Sequence, residues 1–192
     1  MFLIMCNSDP QPSARHVTTP WFIATEKFDK SDDAWEKYIA WSKLEQLDEL
    51  VSLDGILCPT VLPEIKPEYW SRIVNEDFML KFFTDPDFLE REISGIKRRN
   101  FLCVFCNPPA HPFSAIPKGF EFVGYDLVDI ESSVSALSNC GGFPDVFSNS
   151  ELSDKGLLKS HERSLQVQTD LRRQYPHEVH ANCHQWAIFR RD

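Results

Sequence analysis

The longest helical patterning runs from Asp33 to Leu53, where Ala34, Tyr38, Trp41, Leu44, Leu47 and Val51 recur at steps of three or four. Asp33 with Glu36 three residues on resembles a capping box, with Asp in place of Ser or Thr, and Asp54-Gly55 supplies a stop. A second amphipathic helix is predicted over 157–175, with Leu158, His161, Leu165 and Leu171 along one side and Pro176 just beyond. Asp85-Pro86 reads as the N-cap and first position of a shorter helix, with Phe88, Leu89 and Ile93 on its buried side and Gly95 past its end. Pro67 opens a short helical turn through Trp70 and Ile73, and the apolar piece 77–83 also reads as helical.

Period-two patterning marks the strands. Residues 101–106, Phe-Leu-Cys-Val-Phe-Cys, are apolar on both alternating faces, as in a central strand covered from both sides. Residues 120–128 form a second strand, in which Gly124 marks a bulge or a close approach. A third runs from Cys183 to Arg190, with His184, Trp186 and Ile188 facing one way and Ala187 and Phe189 the other. Residues 1–6 read as an N-terminal strand, while 56–58 and 61–62 read as short extended pieces broken by Pro59 and Pro63. Residues 107–112 must leave the sheet, because proline cannot donate to a ladder. This order of elements predicts an α+β or mixed α/β fold: one globular domain over 1–192, with a mixed central sheet and helices packed on it.

Composition narrows the function. Apolar residues at 42% and charged residues at 26% are enough for a real core. Twenty Lys plus Arg against 29 Asp plus Glu leave a net charge of −9, which argues against nucleic-acid or anionic-membrane binding. The one dense basic run is Lys97-Arg98-Arg99. No apolar stretch approaches the length of a membrane span, and the opening residues lack the basic region of a signal peptide. Of six cysteines, Cys6, Cys58, Cys103 and Cys106 lie in apolar surroundings, where free thiols behave as small hydrophobes. With no N-x-[ST] acceptor, this predicts free thiols and a reducing, cytoplasmic location.

Candidate chemistry is sparse. There is no Gly-rich phosphate loop, no H-E-x-x-H and no G-x-S-x-G, so no cofactor is expected. His177, His180, Cys183 and His184 crowd into eight residues, but strand geometry turns Cys183 and His184 to opposite faces; a zinc site would need a remote ligand such as Cys140 or His111, and none is predicted. Cys103 and Cys106 likewise face opposite sides of their strand. Cys140, before Gly141-Gly142, could be a nucleophile beside free backbone N–H groups, with His180 or His184 as its base. Asp126, Asp129 and Glu131 follow a strand and could form a carboxylate pair or an acidic binding edge, the commoner role being a solvated strand end. Trp21, Trp35, Trp41 and Trp70 gather beside acidic residues, as aromatic anchors do at protein interfaces.

The stretches 124–129 and 180–188 resemble segments of uncharacterised bacterial proteins, a resemblance that implies no activity. Two expectations follow. The first is a small acidic cytoplasmic protein that binds another protein, in one version a bacterial immunity- or antitoxin-type inhibitor of a basic partner. The alternative is a Cys/His-dependent hydrolase or transferase using Cys140 with His180 or His184.

Overall fold

Two apolar clusters lie on opposite faces of one sheet, and the alternation along each strand assigns its side chains between them. In strand β4 (Arg99–Cys106), Phe101, Cys103 and Phe105 join one cluster, and Leu102, Val104 and Cys106 join the other. In β7 (His184–Arg191) the same split separates Ala187 and Phe189 from Trp186 and Ile188. In β1 (Trp21–Glu26) it separates Phe22 and Ala24 from Ile23. These assignments come from a computed structural model, which describes residues 19–64, 66–74, 79–110, 116–129, 131–139 and 141–192. The N-terminal strand expected over 1–6 lies outside the described residues.

Two more strands complete the sheet, β5 (Glu121–Asp129) and the two-residue β6 (Val134–Ser135), in the order β1-β4-β7-β5-β6. Every pairing is antiparallel, so the expected mixed sheet is corrected to an antiparallel one. Strand 101–106 is interior, as expected, between β1 and β7. A separate two-stranded ladder joins β2 (Phe28–Asp29) to β3 (Glu49–Leu50). Three α-helices are described: α1 (Trp35–Ser42), α2 (Pro86–Ile93) and α3 (His161–Gln174). Trp35 and Tyr38 of α1, Phe88, Leu89 and Ile93 of α2, and Val167 and Leu171 of α3 all join the same cluster. The opposite cluster is closed by Val51, Leu53, Leu80, Phe82 and Leu157, which lie outside the helices and the sheet strands. The chain is therefore α+β, with helical side chains gathered in one cluster.

Within the predicted helix 33–53 only Trp35–Ser42 is helical. The N-cap of α1 is Ala34, with no side-chain bond, so Asp33 does not cap it; Lys43 ends it in the left-handed region at φ 60°. Beyond that point Leu50 packs into one cluster while Val51 and Leu53 pack into the other. Extended backbone sends successive side chains to opposite sides, whereas one helix face could not serve both clusters. The shorter helix matches expectation: the Asp85 carboxylate accepts from Phe88 N at 2.9 Å, and Pro86 opens the first turn. Residues 79–83 are not helical. Phe83 instead bridges Phe22, covering the outer side of β1. Residues 55–58 form a turn and a bend rather than an extended piece, and 134–135 pair as β6.

Candidate functional site

Three features at the β5–β6 end of the sheet bear on function: the His180–His184 region, a buried carboxylate network, and an exposed apolar ridge above that network.

His180 lies in a short 3₁₀ turn, Val179–Asn182, between α3 and β7. Only 7% of it is exposed, and its ring packs edge-on against Phe143 at 5.2 Å. Both ring nitrogens are buried with no hydrogen-bond partner among the described residues. Burial lowers its pKa below the ordinary imidazole value, partly offset by the carboxylates of Glu178, Asp129 and Asp54. His184 is half-buried at the start of β7, with Nδ1 3.1 Å from Asn107 Nδ2. Burial, and then the Arg172 guanidinium, hold its pKa down.

The proposed nucleophile, Cys140, lies outside the described residues, as does His111. His177 is exposed while Cys183 is buried. Among the described residues no group of three or more His, Cys, Asp or Glu side chains could hold a metal ion. The described thiols are unsuited to nucleophilic chemistry. Burial pushes Cys103, Cys106 and Cys183 up to about 12 and raises Cys58 well above its usual value.

The acidic strand end is mainly structural. Asp126 is fully buried in mid-strand and accepts four hydrogen bonds: Ser52 Oγ at 2.6 Å and Leu53 N at 3.0 Å on one oxygen, Ser135 Oγ at 2.6 Å and Leu127 N at 2.8 Å on the other. Burial raises its pKa, and the four donors oppose that rise. Asp54, also fully buried, accepts from Ile56 N and Leu57 N at 2.9 Å each, Asn139 Nδ2 at 3.1 Å and Ser135 N at 2.8 Å. These two carboxylates tie segment 52–57 to β5, β6 and Asn139. Asp129, at the end of β5, accepts from Ser132 N and Oγ, and Glu131 lies beyond the strand in a turn, so the two do not share a strand face.

The network carries an apolar surface. The turn held by Asp54 presents Ile56, 60% exposed. Beside it, a Cβ on Gly55 would lie 3.2 Å from Cβ of Met79, itself 54% exposed. Asn139, bonded to Asp54, leads to Gly141, whose Cβ position lies 3.9 Å from Cζ2 of Trp41. Trp41 is 51% exposed and its ring lies 6.2 Å from Tyr38, whose hydroxyl donates to the Ser138 carbonyl at 3.0 Å. Trp41, Ile56 and Met79 therefore border a base made of 54–57, 138–139 and Gly141. Of the tryptophans named from sequence, Trp41 and Trp70 are exposed, Trp35 is core and Trp21 is half-buried.

Sequence patterning misses the partners of Asp126 and Asp54, because Ser52, Ser135 and Asn139 are separated from them in sequence and lie on no apolar repeat. Ile56 and Met79 are also missed, the first being read as part of a short extended piece and the second as part of an apolar helical piece. Compared with protein-family models, with curated proteins and with solved structures, the chain has no match in any of the three.

Proposed function

We propose that this chain is an acidic, cytoplasmic protein-binding protein that docks a cationic protein through the Trp41–Ile56–Met79 ridge; its concrete form would be a bacterial immunity- or antitoxin-type inhibitor of a basic partner. The observation that carries this reading is the ridge itself: three large apolar side chains, each more than half exposed, around a base in which Asp54 accepts four hydrogen bonds. A pre-organised apolar anchor group with a polar surround is what protein interfaces use for affinity. The net charge of −9 would steer a basic partner and repel acidic ones. Four described free and buried thiols support a reducing compartment. The test is affinity capture from host extract with wild type and with a Trp41→Ala/Ile56→Ser pair. A basic protein retained by wild type, released by salt and lost by the pair is expected. Equal recovery by both overturns the assignment.

The alternative reading, a hydrolase or transferase using Cys140 with His180 or His184, is favoured by one observation. His180 offers two unpartnered ring nitrogens, and its ring packs on Phe143, three residues from Cys140. A base-activated thiol would alkylate with a midpoint well below the ordinary value of about 8.5, and His180→Gln would restore that ordinary value. An ordinary midpoint in wild type removes this reading.

A further inference from the structure

At the opposite end of β7 from His184, the acidic chain gathers positive charge. Lys27 follows β1, Lys97 and Arg99 lead into and open β4, and Arg190 and Arg191 close β7; with Phe101 they line a pocket of about 470 Å3. Sheet order explains the meeting. β1, β4 and β7 are neighbours with alternating direction, so the C-terminal ends of β1 and β7 flank the N-terminal end of β4.

The acidic residues at the rim are already engaged. Glu49 pairs with Arg190 Nη1 at 2.6 Å, Asp192 with Arg190 Nε at 3.2 Å, and Glu90 with Arg191 Nη1 at 3.0 Å. Among the described residues, Lys27, Lys97 and Arg99 have no carboxylate partner. The Arg99 guanidinium donates to the Ile96 carbonyl through Nη1, but its Nε is buried with no acceptor among the described residues. The same holds for Nε of Arg191, whose guanidinium is held over the rings of Phe101 at 5.0 Å and Phe120 at 4.5 Å. An arginine fixed by aromatic faces loses little entropy when its remaining N–H groups bind an oxyanion.

We propose that this pocket binds a small multivalent oxyanion, a phosphate or the phosphoryl group of a phosphomonoester. Five cations against three carboxylates leave a local charge of +2 within a chain of −9. Two lysine point charges beside planar guanidinium forks make a tetrahedral dianion the fitting ligand. This site is separate from the ridge and does not depend on the protein-binding reading.

The test is a titration of the full chain at low ionic strength, followed by amide NMR, with inorganic phosphate in one arm and phenyl phosphate in another. Saturable shifts confined to residues near 27, 97–101 and 189–192 are expected in at least one arm. Tighter binding of phenyl phosphate would show that a phosphomonoester is preferred over free phosphate. A Lys27→Gln/Lys97→Gln pair, which alters partly or fully exposed side chains, should fold normally and weaken affinity by about tenfold or more. The proposal is overturned by three results: no saturable shifts in either arm, the same shifts with sodium chloride at equal ionic strength, or unchanged affinity in the folded pair.

Discussion

Gly124 allows β5 to lie against the loop before α3. A Cβ there would come within 2.6 Å of Leu157 Cβ and 2.9 Å of the Leu158 carbonyl oxygen, while Tyr125 and Leu158 exchange hydrogen bonds of 2.7 and 3.0 Å. The ladder to β7 shifts register between Phe122 and Gly124 at the same place. Gly124→Ala should therefore destabilise the fold by about 1–3 kcal/mol in urea denaturation, since the contact is with backbone as well as side chain; an unchanged midpoint would contradict the packing. At Asp126 all four donors point at a carboxylate, so Asp126→Asn turns an NH2 group toward hydrogens and should cost about 1–3 kcal/mol by the same measurement. Residue-scale reading from sequence succeeded at Gly124, where a glycine inside a strand has few explanations. It failed at Asp126, because burial of a carboxylate depends on serines far along the chain.

Element boundaries follow local chemistry only where local chemistry decides them. At α2 the Asp-Pro start caps the helix as the residues suggest, and Asp85→Ala should cost about 1 kcal/mol, seen as a lower thermal midpoint with an unchanged folded spectrum. At α1 the apolar repeat continues past Lys43, yet the backbone does not. Periodicity alone could not reveal that Leu50 and Val51 belong to clusters on opposite faces. α3 begins at His161, with Ser160 capping Arg163 N. Its buried face differs from the predicted one: Leu165 is exposed, while Ser164 and Gln168 are buried, accepting from Gln185 and donating to the Cys183 carbonyl. β1 escapes sequence reading because Thr25 and Glu26 cut its apolar run to four residues, and β6 because two residues carry no pattern at all.

For the whole molecule, charge and burial set the response to pH. His180 and His184 have folded-state pKa values below the unfolded imidazole value, so folding favours their neutral forms. Their contribution is fully present above about pH 6.5 and is lost as pH falls through the depressed values. Asp126 has the opposite sign: its raised pKa means a contribution present below the unfolded carboxylate value and lost as pH rises through the folded value. Urea midpoints should therefore fall between about pH 7.5 and pH 5.5, and His180→Gln should flatten that slope; a midpoint that rises on acidification would contradict the burial of both histidines. Apolar alternation made the α+β class legible from sequence. The ridge was not, since Trp41, Ile56 and Met79 are linked only through the Asp54 turn, Asn139 and Gly141. The most direct test of the docking claim is hydrogen–deuterium exchange of the chain with and without a captured basic partner. Protection is expected in 38–43, 54–57 and 138–142; protection confined to other surfaces, with these segments unchanged, would contradict it.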